Sequence, residues 1–198
     1  MGKAGPVLDV QFVTDFGDQA VLLPLALGVA LLFGLTGWHR GAIAWTTAIG
    51  GTLGLMLVLK LGFLACDNHL PDHLRSPSGH TAAAASIYGG LLALAIRRIT
   101  GHERWTLACT VAIAAVIGTS RLALGVHTGP EVVIGGIVGV CGGLATVALA
   151  GAPPPGLRLR GMAAVTLFVL VLFHGFHLPA EAAIKTTALE LWPLSACR

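Results

Sequence analysis

No lysine, arginine or acid interrupts this chain from Gln19 to Trp38, from Gly41 to Leu59, from Thr81 to Ile96, from Trp105 to Ser120, or from Val132 to Gly156. A sixth run, from Gly161 to Ala180, is broken only by His174 and His177. A helix needs about 20 mostly apolar residues to cross a bilayer, and in hydrocarbon the backbone must satisfy its own hydrogen bonds. The pattern therefore predicts an all-α integral membrane bundle of six helices, in one domain covering 1–198. The first run is too long, and follows too many acids, to be a signal peptide. Charged residues make up 11% of the 198, against about 25% in soluble domains. That excludes an ordinary soluble protein, a disordered chain and a nucleic-acid binder with a dense basic face. A net charge of +3 is too small to imply a strongly acidic partner.

The basic residues suggest an orientation. Three connections on one side hold Arg40, Arg97, Arg98, Arg104, Arg158 and Arg160, with Glu103 as their one acid. The other eight acids fall on the opposite side. The positive-inside rule then puts both termini outside the cytoplasm of an inner, or plasma, membrane. Before the first run, Leu8, Phe12 and Phe16 recur at helical spacing among aspartates. This predicts a short amphipathic helix on the outer membrane surface. Gly135, Gly139 and Gly143 stand at four-residue spacing, which suits close helix packing. Trp38, Trp45, Trp105 and Trp192 are expected at the membrane interfaces. Cys66 and Cys197 lie outside the apolar runs and are the pair able to bridge, whereas Cys109 and Cys141 fall inside them.

Three polar clusters should meet at the outer face. They are Lys60, the segment Arg75-Ser76-Pro77-Ser78-Gly79-His80-Thr81, and Ser120-Arg121 with His127 and Glu131. Ionisable residues at such depth are functional candidates. Lys60, Arg75 and Arg121 supply cations. Ser78 can cap a helix whose first N–H groups form an anion site, and Gly79 leaves room for close approach. Two histidines, His80 and His127, can divide nucleophilic attack and leaving-group protonation between them. Glu131 can accept a ring N–H from His127 and fix its tautomer.

Pro77-Ser78-Gly79-His80, followed by Ser120-Arg121, His127 and Glu131, resembles the second and third signature motifs of the type 2 phosphatidic acid phosphatase superfamily. The resemblance spans roughly residues 12–150, with a further helix at about 161–180 beyond the family-like core. It implies His127 as the nucleophile that forms a phosphohistidine and His80 as the general acid. Ser78, Gly79 and Arg121 would hold the phosphoryl oxygens, and Lys60 would match the lysine of the first motif. No metal or other cofactor is implied. Two departures stand out. Glu131 occupies a place where the family usually has aspartate. Asp67 and Asn68 stand where the first motif has arginine and proline, which leaves Arg75 as the nearby cation able to substitute.

The bland alternatives are helix capping for His80 and Glu131, and snorkelling at the interface for Lys60 and Arg75. His174, His177 and Glu181 fall at i, i+3 and i+7, a spacing that suits either a metal or an interface. His69, Asp72 and His73 suit a head-group contact or a solvated loop. The expected function is hydrolysis of a membrane lipid phosphate or pyrophosphate, with undecaprenyl pyrophosphate the leading substrate and an active site facing the periplasm or exterior. A lipid phosphotransferase, and a lipid-phosphate-binding protein without turnover, are the alternatives. The expected partners are the lipid substrate and the bilayer, with no nucleic acid; a homo-oligomer is compatible with the sequence.

Overall fold

A computed structural model describes residues 5–66, 74 and 76–191. Among them there are helices and no strands: α1 (Gly5–Asp15), α2 (Gln19–Leu35), α3 (His39–Ala65), α4 (Gly79–Ala84), α5 (Gly90–Thr100), α6 (Thr106–Ala123), α7 (Gly129–Ala150), α8 (Leu159–Phe173) and α9 (Ala180–Leu191). A π-helical turn, Ala85–Gly89, joins α4 to α5 without a break. Five helical stretches are long and apolar enough to cross a membrane: Asp9–Leu35, His39–Leu64, Gly79–Thr100, Thr106–Ala123 and Gly129–Ala150.

The expected sixth span is shorter than its uncharged run. α8 has 15 residues, about 22 Å of helix against a hydrocarbon core of about 30 Å. The chain leaves the helix at His174, and Gly175 adopts φ +87°. His174, His177 and Glu181 therefore do not share a helix face, and the metal spacing read from them does not exist. At the N-terminus a helix, α1, packs against α6, and Asp9–Leu35 forms one of the stretches able to span. Phe12 is exposed, while Thr14 and Asp15 are buried.

The glycine stripe of α7 explains how the bundle closes. A Cβ on Gly135 would strike the carbonyl oxygen of Ser78, one on Gly139 that of Ala82, and one on Gly143 the side chain of Thr110. Side-chain-free positions let α7 lie against α4 and α6 at backbone distance. Two of the four tryptophans depart from the expected interfacial belt. Trp38 and Trp45 are buried, and the Trp45 indole N–H donates to the Ala26 carbonyl at 2.8 Å. Trp105 is half exposed beneath the Arg104 guanidinium; Trp192 lies outside the described residues.

The arginine-rich end is also a structural layer. Arg40 donates to the Leu149 carbonyl at 2.9 Å, Arg97 to that of Val147 at 3.0 Å, and Arg98 to that of Pro155 at 2.7 Å. Arg40 and Arg97 thus satisfy carbonyls in the last turn of α7, where the helix dipole favours cations, and Arg98 satisfies one in the connector beyond it. Cys109 and Cys141 are free thiols and Cys66 is disulfide-bonded; Cys197 lies outside the described residues.

Candidate active site

The opposite end of the bundle gathers the end of α3, the start of α4, the end of α6, the start of α7 and the turn between α1 and α2. Glu131 is the hub. It sits in the first turn of α7, where Thr128 caps the helix, and its side chain completes a capping box by accepting the Thr128 N–H at 3.0 Å. The same oxygen, Oε2, lies 3.0 Å from His127 Nδ1. A carboxylate can only accept, so Nδ1 carries a proton, and in the neutral ring the lone pair is then on Nε2. The two side chains are only 6% and 7% exposed. Oε1 accepts the Ser76 N–H at 2.8 Å, and the Glu131 carbonyl accepts the Ser78 N–H at 3.0 Å. Through these bonds the Ser76–His80 segment is tied to the helix that bears His127.

Ser78, fully buried, caps α4. Its Oγ accepts the Thr81 N–H at 3.4 Å and lies 2.9 Å from the Thr81 hydroxyl. Lys60 is a buried cation on α3 whose ammonium donates to Ser76 Oγ at 3.2 Å. Gly79 faces that lysine, since a Cβ there would meet Lys60 Cε at 3.2 Å. Arg121, in the last turn of α6, donates to Thr14 Oγ1 at 3.3 Å. Lys60, Ser78, Gly79, His80, Arg121, His127 and Glu131 thus belong to one end of the molecule. Arg75, His69, Asp72 and His73 lie outside the described residues.

The expected site lacked the α1–α2 turn. Thr14 meets Arg121, and Asp18 Oδ2 lies 3.7 Å from His80 Nε2. The connector after α8 packs on this turn. His174 stacks on Phe12 and Phe16 with centroids 4.6 and 4.4 Å away, and His177 Nε2 lies 2.9 Å from Asp15 Oδ1. The sequence did mark the turn, through aspartates standing before an apolar run; it carried no signal for their distant partners His80, His177 and Leu178, which are more than 60 residues away in the chain.

A cavity of about 240 Å³ opens here, bordered by Lys60, Gly79 and His80 together with Leu178, Ala180 and Ile184. A larger cavity, about 840 Å³, is lined almost wholly by apolar side chains, among them Phe16, Leu91, Ile117, Leu159 and Met162. The two approach each other at Gly17, where a Cβ would meet Ile117 at 3.0 Å and His80 at 3.4 Å. Arranged in this way, the residues offer a nucleophilic nitrogen, a second imidazole, cations and helix-start N–H groups, beside apolar space.

A family model described as "PAP2 superfamily" matches residues 41–153. A relative from Klebsiella pneumoniae, called "Uncharacterized 22.5 kDa protein in cps region", is 27% identical over 192 residues, covering 93% of this chain and 92% of the relative. No solved structure matches.

Proposed function

From the premise that the chain belongs to the PAP2 superfamily, whose members act on phosphate esters, we propose that it hydrolyses a membrane lipid phosphate or pyrophosphate through a phosphohistidine. The observation that carries this reading is the buried His127–Glu131 pair, hydrogen-bonded at 3.0 Å and tied by Glu131 to the segment that precedes His80.

In this mechanism His127 Nε2 attacks phosphorus in line. The bond from phosphorus to the leaving oxygen breaks, and its electron pair goes to that oxygen, which belongs to the lipid alcohol in a monophosphate and to the lipid monophosphate in a pyrophosphate. His80 supplies the proton. Glu131 holds the His127 tautomer and stabilises the charge that the ring gains on attack. Lys60, Arg121, Arg75 and the N–H groups at the start of α4 stabilise the phosphoryl oxygens. Water, relieved of a proton by His80, then cleaves the phosphohistidine. The apolar cavity of about 840 Å³ supports a long-chain substrate whose tail stays at membrane depth. Undecaprenyl pyrophosphate is the leading candidate, with phosphatidic acid next.

We place the site on the outer face of the inner membrane. The arginine layer at the other end supports this by the positive-inside rule. The disulfide-bonded state of Cys66, at the end of α3 on the site side, fits an oxidising compartment.

The test is phosphate release by the purified protein in detergent with chelator present, offering both lipids, with His127→Ala as control. Release by wild type and not by the variant is expected. Release only when an acceptor alcohol is added would favour the transferase. No release by folded wild type under either condition would overturn turnover and leave a binding protein.

A further inference from the structure

Asp18 is 5% exposed and uses its two oxygens differently. Oδ1 is fixed: it accepts the Ala20 N–H at 2.8 Å as the N-cap of α2, and the Leu178 N–H at 3.1 Å from the connector after α8. Oδ2 faces His80 Nε2 at 3.7 Å. That is ion-pair rather than hydrogen-bond distance, and such contacts commonly tighten when substrate arrives. The turn that carries Asp18 is itself held. Gly17 donates to the Thr14 carbonyl at 2.8 Å, Gln11 Nε2 donates to Asp15 at 2.6 Å, and His177 meets the same Asp15 oxygen. A buried carboxylate held by backbone N–H groups and facing an imidazole is the feature Asp18 shares with Glu131, although Glu131 takes both the Thr128 N–H and His127 Nδ1 on one oxygen.

We propose that Asp18 is the positioning residue for His80. This rests on the phosphatase reading above. A carboxylate beside Nε2 holds the ring by its Nε2–H and compensates the charge of the protonated form. That leaves Nδ1 as the atom that hands its proton to the leaving oxygen as the phosphorus–oxygen bond breaks. Second-layer carboxylates that orient a working histidine act in this way. The chain therefore has two carboxylate–histidine pairs with separate tasks, one for the nucleophile and one for the acid. The connector after α8 takes part through Leu178, which anchors Asp18 and also lines the cavity beside His80.

Leaving groups separate this role from a structural one. A lipid alkoxide cannot depart without a proton, whereas nitrophenolate can. Asp18→Asn retains an amide oxygen for Ala20 and Leu178 and remains a strong N-cap, but it carries no charge. With phosphatidic acid its kcat is expected to fall about 100-fold, within the range general acids contribute, with KM little changed. With p-nitrophenyl phosphate the first, nitrophenol-releasing step, read as a burst ahead of the hydrolysis that His80 assists as base, should stay within about threefold of wild type, since the departing group needs little acid help. His80→Ala should show the same split, and adding Asp18→Asn to it should cost nothing more, as expected when one residue acts through the other. Asp18→Ser, a shorter cap, should reproduce the split if the Asn variant misfolds. Equal losses on both substrates, no loss on either, or a further loss in the double variant would overturn the proposal. A wild type inactive on both substrates, or an active His127→Ala, would overturn the phosphatase reading and this proposal with it.

Discussion

Glu131 carries three donors at once: the Ser76 N–H on Oε1, and the Thr128 N–H and His127 Nδ1 on Oε2. The family's usual aspartate would bring the carboxylate back by one methylene, about 1.5 Å, from a Cα fixed in the first turn of α7. It could not reach all three donors. Glu131→Asp is therefore expected to lower activity about tenfold, although it restores the commoner residue. It should also lower stability by about 1–3 kcal/mol, the cost of leaving a buried donor unmatched. Phosphate release and a thermal-unfolding midpoint measure the two effects. Wild-type values for both would show that the extra methylene has no task here. At this scale the sequence was informative about His127 and Glu131, because their four-residue spacing alone allows contact at a helix start. It was silent on Ser76, whose backbone N–H has no side-chain signature, and on the link between Asp18 and His80, which exists only once α2 and α4 pack.

Among the helices, the approach of α4 to α7 sets the distance between the two halves of the site. Gly135 lies against the backbone of Ser78, the residue that caps the helix start before His80. A methyl group there meets a peptide rather than a flexible side chain, so the helices must separate. Gly135→Ala should lower stability by about 1–3 kcal/mol, as overpacking does, and reduce activity at least tenfold by drawing the Ser76–His80 segment away from Glu131. Gly54→Ala is the control, because nothing lies within 4 Å of a Cβ at that position of α3. It should leave activity unchanged and stability the same or slightly higher, since alanine is the better helix former. Unfolding midpoints and turnover on one lipid for both variants check this; equal behaviour would remove the glycine stripe from the account of the site. The spacing of Gly135, Gly139 and Gly143 was readable as a packing surface, and five of the six long uncharged runs became helices able to span. The sixth misled because hydropathy does not register a backbone that turns. Gly175 and Pro179 end the helical course while the sequence stays apolar, and His174 and His177 go to α1 instead of sharing a face. Trp38 and Trp45 misled for a related reason: an indole near a span end reads as interfacial until a neighbouring helix covers it.

The whole molecule is polarised along its long axis. One end holds arginines that satisfy carbonyls near the C-terminus of α7, and the other holds the buried carboxylates and histidines. A charge layer of this kind resists translocation, so it should fix the arginine end in the cytoplasm and the site outside. Introduced cysteines test this directly, in a background where Cys109 and Cys141 are replaced and which is first shown to take no label of its own. Val126→Cys lies at the site end, beside His127 and half exposed. His102→Cys lies at the arginine end, between Gly101 and Glu103 and exposed. A membrane-impermeant maleimide added to intact cells should label the cysteine at 126 and leave the one at 102 unlabelled until the membrane is permeabilised. The reverse pattern would put the site in the cytoplasm. It would also mean that the arginines serve the fold through their bonds to Leu149, Val147 and Pro155 without setting the topology.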